Sequence, residues 1–325
     1  MRVRHARVAG IALVGVVAAT QVGAVALHAL RGEPGVTGAA VAAVPALLRA
    51  PTPAPRDVAA YGGVGAWVDL YDLADGSVTP AAVATMARSG VRTLYLQAAR
   101  DDGAGRPELT APDLQARFLV AAHREGLRVV GWYVPRFGDV DRDLAHLRAI
   151  AGFRALGHRF DGVAVDIEVT DTVTDDAERS ARLVELSQGL RSSAGSDAVG
   201  AIVMPPVQLE VVNPAFWPGF PWRDIANLYD VWLPMGYWTE RTVASGYRDP
   251  ARYTAENLTR LRSDVGADAP VHMIGGLGEG TGVAEVDAFA GALRDGGGHV
   301  IGASLYDWAT LAPDARDRLA GAFGG

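Results

Sequence analysis

The chain has 325 residues, 49% of them hydrophobic and 21% charged, enough apolar material for a large buried core. Its formal net charge of −7, with no arginine cluster beyond the N-terminus, argues against a nucleic-acid partner. Cysteine and lysine are both absent, which excludes disulfides, thiolate zinc sites, lipidated cysteine and Schiff-base or P-loop lysine chemistry. Arg2, Arg4 and Arg7 precede an apolar run from Val8 to Leu30, interrupted only by Thr20, Gln21 and His28. Residues 1–30 are therefore expected to be an export segment. They form either a signal peptide cleaved near Ala24-Val25-Ala26 or an uncleaved transmembrane anchor with its N-terminus inside. On either reading the folded part lies outside the cytoplasm, secreted or held at the cell membrane. Residues 31–60, ending Pro51-Thr52-Pro53-Ala54-Pro55, read as an extended Ala/Pro-rich spacer before a folded domain over 61–325.

From Gly65 onward, short β-branched or aromatic runs alternate with amphipathic segments. The runs are Ala66–Tyr71, Val91–Ala98, Arg128–Val134, Gly162–Val169, Ala201–Pro205, Val231–Tyr237, Val271–Gly275 and Gly302–Asp307. Thr79-Pro80 reads as an N-cap with proline in the first turn, and Gly90 closes that helix. Asp175 and Glu178 have capping-box spacing, after which Leu183, Leu186 and Leu190 share one face. Val286, Phe289, Ala290 and Leu293 repeat the helical i, i+3, i+4, i+7 pattern. Eight strands in strict alternation with helices predict an α/β protein, a (β/α)8 TIM barrel. A doubly wound sheet is the alternative, but no G-x-G-x-x-G opens any helix.

The fourth run carries the chemistry. In Val163-Ala164-Val165-Asp166-Ile167-Glu168 the period of two puts Ala164, Asp166 and Glu168 on one face. Two carboxylates about 7 Å apart on one face of a buried strand are costly unless used, and each raises the other's pKa. That is what a general acid near neutral pH requires. Pairing with a loop arginine such as Arg136 or Arg241 is the structural alternative. Asp161, at the other end of the run, is expected to hold a turn.

Reactive groups of such barrels gather at the C-terminal strand ends. This rule adds Asp69, Gln97, Tyr133, Tyr237, Trp238, Tyr306 and Asp307 as candidates. Trp217, Trp222, Trp232 and Trp238 crowd the sixth run, and a tryptophan beyond a strand end can stack on the flat face of a sugar. Trp238 is the candidate for that role, whereas Trp67 and Trp232 fit ordinary packing. The run Gly275-Gly276-Leu277-Gly278-Glu279-Gly280 could wrap phosphate or simply form a loop, and Glu279 opposes the former. His123, His146, His158, His272 and His299 lack metal-ligand spacing. No cofactor is required, although Asp69, Asp166 and Glu168 together could hold Mg²⁺ or Ca²⁺ in a metal-dependent hydrolase.

These motifs resemble those of the family-18 glycoside hydrolases, the chitinase-like barrels. The fourth-strand pattern D-G-x-D-x-D-x-E of that family aligns without a gap on Asp161-Gly162-Val163-Ala164-Val165-Asp166-Ile167-Glu168. Its sixth-strand M-x-Y-D is similar to Met235-Gly236-Tyr237-Trp238, and its glycine turn after strand seven to Gly275-Gly276-Leu277-Gly278. An aromatic residue closing Gly302–Tyr306 fits the last strand. The resemblance implies that Glu168 is the acid/base, and that Asp166 steadies a substrate N-acetyl group whose carbonyl oxygen attacks the anomeric carbon. It also implies that Tyr237 hydrogen-bonds that group. Ala164 and Trp238 depart from the pattern, each replacing an aspartate. The D-x-E pair, with Asp69 and Gly131-Trp132-Tyr133, is also similar to the family-25 lysozyme barrels, which act on peptidoglycan. The expectation is a monomeric, exported glycosidase acting on a cell-wall or extracellular polysaccharide. A non-catalytic glycan-binding barrel is the alternative.

Overall fold

Eight parallel strands close into one barrel in sequence order, each hydrogen-bonded to the next and β8 to β1. The structure, a computed structural model, describes residues 56–101 and 108–323, all within one compact unit. The expected export segment and most of the spacer lie outside the described residues. Among the described residues no helix is long and apolar enough to cross a membrane.

The strands are β1 (Gly63–Val68), β2 (Val91–Gln97), β3 (Arg128–Tyr133), β4 (Gly162–Ile167), β5 (Val199–Val203), β6 (Val231–Pro234), β7 (Val271–Leu277) and β8 (Val300–Tyr306). The helices are α1 (Leu70–Asp75), α2 (Val83–Arg88), α3 (Pro112–Arg124), α4 (Val140–Gly152), α5 (Asp176–Ala194), α6 (Trp222–Ile225), α7 (Pro250–Val265), α8 (Val283–Asp295) and α9 (Pro313–Phe323). The (β/α)8 expectation holds. Asp175 caps α5 by accepting the Glu178 N–H at 2.8 Å, and Leu183, Leu186 and Leu190 are buried on its inner face. The strand starting at Ala66 actually starts at Gly63, so Asp69 lies past the strand and caps α1.

Strand alternation divides the core into two layers. Trp67, Tyr95, Val130, Trp132, Ala164, Ile202, Leu233 and Ile274 point into the barrel, while their neighbours pack against the helices. Arg56–Ala60, which composition groups with the spacer, instead belong to the barrel's base. Ala60 is buried and Arg56 reaches Asp230 at 3.2 Å. Tyr61 closes the bottom, donating its hydroxyl to the carbonyl of Val163 at 2.8 Å.

Above Tyr61 runs a chain of satisfied polar groups. His272 Nδ1 meets the Tyr61 carbonyl at 2.8 Å, its Nε2 meets Ser304 Oγ at 3.0 Å, and Trp67 Nε1 donates to Ser304 Oγ at 2.7 Å. Burial lowers the His272 pKa to about 4, so a neutral ring completes the chain. Trp67 stacks on Tyr95 with ring centres 4.2 Å apart. This dry, aromatic floor supports the opposite end.

Candidate active site

At the C-terminal mouth of the barrel an open cavity of about 430 Å³ lies over that floor. Its walls hold Asp69, Gln97, Trp132, Asp166, Glu168, Tyr237 and Tyr306, with Tyr71, Arg100, Asp101 and Arg136 towards the rim. Residues from six strand ends thus converge where barrels of this kind place their chemistry.

Asp166 is the last inward-facing residue of β4, and Glu168 continues the same face one residue beyond the strand. Asp166 is buried to 7% exposure, and its Oδ1 has no hydrogen-bond partner. Burial first, and the charge of Glu168 second, hold the Asp166 carboxyl well above the usual carboxylate range. Burial also raises Glu168. Among the described residues no ion pair reaches either acid. Arg136 faces Asp171 at 3.6 Å, and Arg241 donates to Gln208. The structural ion pair with Arg136 or Arg241 considered from sequence does not form, and the two acids face the open cavity. Such a pair loses its protons in two coupled steps, and the first anion formed opposes the second.

Tyr237, three residues past β6, completes this wall. Burial raises its phenol pKa, and Asp166, Glu168 and Asp307 add to the rise, so it remains a hydrogen-bond donor. Its ring lies 6.1 Å from that of Tyr306, whose hydroxyl donates to Asp69 Oδ2 at 2.8 Å. Asp69 Oδ1 accepts the N–H groups of Tyr71 and Asp72 at 2.8 and 2.9 Å. Gln97 Oε1 accepts the Leu70 N–H at 3.0 Å and so ties β2 to the loop after β1. Asp69, Gln97, Asp166, Glu168, Tyr237 and Tyr306 are therefore brought together.

Three expected site residues are not. Tyr133 is fully buried on the outward face of β3 and donates to Asp143 Oδ1 at 2.6 Å. Its neighbour Trp132 has the inward parity, lines the cavity and leaves Nε1 unpartnered. Trp238 is also fully buried and outward, against Phe289 of α8 at 5.1 Å. Asp307 does not line the cavity; its Oδ1 accepts from the N–H and hydroxyl of Thr310, both at 2.9 Å.

Two glycines near the end of β7 are explained by that packing. A Cβ on Gly275 or Gly276 would come within 2.9 or 2.7 Å of the Trp238 ring, so their smallness admits the indole and not phosphate. Trp217, Trp222 and Trp232 likewise fill the layer between strands and helices. Asp161 sits at the start of β4, where it accepts from Val129 N, His123 Nε2 and Arg128 at 2.8–3.1 Å. Its role is structural, as expected, but its partners lie on β3 and α3 rather than within a turn.

The metal grouping drawn from sequence does not form. Among the described residues the acids with oxygens within 4.8 Å of one another are Asp69, Asp72 and Asp307, without Asp166 or Glu168. Burial, with the charges of Asp69 and Asp307, pushes Asp72 up to about 6. Tyr71, Arg100, Asp101, Trp132 and Arg136 were missed. Strand parity alone would have identified Trp132; the others depend on loop geometry.

The chain is a (β/α)8 barrel similar in structure to glycoside hydrolases. A family-5, subfamily-18 enzyme from Streptomyces cattleya in complex with Manβ1-4GlcNAc superposes with a TM-score of 0.62 at 14% identity, covering 83% of this chain and 80% of that one. The endo-β-1,4-mannanase of Thermotoga petrophila gives 0.59 at 11% identity, over 81% and 77%. The chitinase of Chromobacterium violaceum gives 0.53 at 14% identity, over 81% and 99%. No protein-family model matches the chain, and no curated protein matches its sequence.

Proposed function

We propose that the barrel is an exported glycoside hydrolase acting on a cell-wall or extracellular polysaccharide that contains N-acetylhexosamine. The observation that carries this reading is the Asp166–Glu168 pair, raised in pKa, in no ion pair among the described residues and open to a sugar-sized cavity. The solved glycoside hydrolases of similar fold, including one holding Manβ1-4GlcNAc, support a saccharide substrate.

In the proposed reaction Glu168 donates its proton to the glycosidic oxygen as that bond breaks. The acetamido carbonyl oxygen of the substrate attacks the anomeric carbon from the opposite side. Asp166 Oδ1, which has no protein partner, accepts the acetamido N–H and offsets the positive charge that develops. The Tyr237 hydroxyl donates to the acetamido oxygen and orients it. Glu168, now a carboxylate, takes a proton from water, and the second attack restores the original configuration. Trp132 supplies an apolar wall and an N–H for a sugar hydroxyl.

The export part of the reading rests on the basic-apolar segment at residues 1–30. A second reading, a glycan-binding barrel without turnover, is favoured by Ala164, which leaves Asp166 without the neighbouring acid of the chitinase-like pattern. One experiment separates the two. Chitin oligosaccharides, peptidoglycan and β-mannan are incubated with the protein and with Glu168→Gln, and new reducing ends are followed. The hydrolase releases product that the variant does not. Binding without product supports the second reading, and equal product from both proteins removes Glu168 from its role.

A further inference from the structure

We propose that the cavity takes a glycan bearing a carboxylate, held at the rim by Arg136 with Arg100 beside it. The cleavage of such a glycan rests on the hydrolase reading above, whereas its binding does not.

Arg100 and Arg136 follow β2 and β3, two neighbouring strands, and both line the cavity that contains Asp166 and Glu168. The acids near Arg136 have partners of their own. Asp101 accepts Arg142 Nε at 2.6 Å. Asp69 receives the Tyr306 hydroxyl and two backbone N–H groups. Burial raises the carboxyl pKa of both Asp166 and Glu168. The pair that Arg136 makes with Asp171 is loose, at 3.6 Å between side chains 49% and 79% exposed. An exposed pair of this kind contributes little and yields readily to a ligand.

What sets Arg136 apart is the effort spent on its backbone. Asp143, buried to 2% exposure, accepts the N–H of Arg136 at 3.2 Å, the N–H of Phe137 at 2.8 Å and the Tyr133 hydroxyl at 2.6 Å. Arg182 of α5 donates to the carbonyls of Phe137 and Gly138 at 2.7 and 2.8 Å. Phe137 itself is held at φ +62°, a left-handed conformation that costs free energy in a residue with a side chain. A strained turn clamped from both sides fixes where Arg136 stands in the cavity wall. The planar fork of its guanidinium matches the two oxygens of a carboxylate. Tyr133 and Asp143 are positioning residues in this arrangement.

The test uses Glu168→Gln as a binder that does not consume its ligand. The probes are a hyaluronan tetrasaccharide, a GlcNAc–MurNAc tetrasaccharide and the carboxyl-reduced counterpart of each, titrated by calorimetry. At least one acidic probe is expected to bind about tenfold or more tightly than its reduced counterpart, a preference that weakens in high salt. Adding R136Q and R100Q should bring that ratio to about one, and D143N, which loosens the turn, should lower it part of the way while the circular dichroism spectrum is unchanged. Equal binding of native and reduced probes, or a ratio that survives R136Q with R100Q, overturns the proposal. Selective binding by a protein that cleaves none of these glycans ends the hydrolase reading and leaves this inference standing.

Discussion

The two ends of β4 carry acids in opposite circumstances. At its start Asp161 is held by Val129 N, His123 and Arg128, and these partners lower its pKa in spite of burial. At its end Asp166 has an unpartnered oxygen, Glu168 makes no ion pair among the described residues, and burial raises both. The same contrast divides the barrel: the chain from Trp67 through Ser304 and His272 to Tyr61 is satisfied, whereas at the mouth Asp166 Oδ1 and Trp132 Nε1 are not. A carboxyl that has every partner supports the fold. One that has none, in an open cavity, is available for chemistry at a cost in stability.

The largest expected effect tests the mouth. Glu168→Ala should reduce kcat on a glycan by about 10³- to 10⁴-fold, the scale of a lost general acid. An aryl glycoside with a good leaving group needs little protonation, so its bond-breaking step should suffer far less. Steady-state and burst kinetics with both substrates check this. An equal loss on both would mean that Glu168 does not protonate the leaving oxygen.

The next comparison sets Trp238 against Trp132, neighbours in kind but on opposite faces. Trp238→Ala empties a fully buried site beside Phe289 and should cost about 3–5 kcal/mol of stability, read by chemical denaturation. Trp132→Ala opens the cavity wall and should raise KM for oligosaccharides about tenfold, with a smaller loss of stability. The reverse result would place the sugar on the wrong side of the barrel.

Much of this was legible in the sequence, and the lapses are instructive. Alternation applied to Gly162–Val169 correctly put Asp166 and Glu168 inside. The same rule applied to β3 puts Trp132 inside and Tyr133 out, but proximity to the strand end drew the choice to Tyr133. Trp238 fails for the same reason, one step out of phase with Met235 and Tyr237. The places of Arg100 and Arg136 in the cavity wall were beyond reach because no local pattern specifies where a loop turns. The β3–α4 loop takes its path from Asp143 and Arg182, a clamp assembled by two helices and visible only in three dimensions.

Replacing the acids of β4 should then move stability in opposite directions. Asp161→Ala removes partners from three donors and should cost about 1–3 kcal/mol. Its lowered pKa means that the stabilisation is present above the ordinary aspartate pKa and is lost as pH falls through the folded value. Thermal melts of the protein and this variant should therefore converge in acid.

The smallest effect is the most discriminating. Asp166 is raised in the fold, so its contribution is fully present below the unfolded aspartate pKa and declines as pH rises through the folded value. Asp166→Asn keeps the shape of the side chain and removes the group that resists ionisation. Its stability should match or exceed that of the parent at neutral pH, by less than about 1 kcal/mol, while turnover falls. The gain should vanish in acid, where the parent carboxyl is protonated. If Asp166→Asn instead destabilised the barrel as Asp161→Ala does, Asp166 would be a structural acid like its counterpart at the other end of the strand. The contrast between floor and mouth would then be one of position alone.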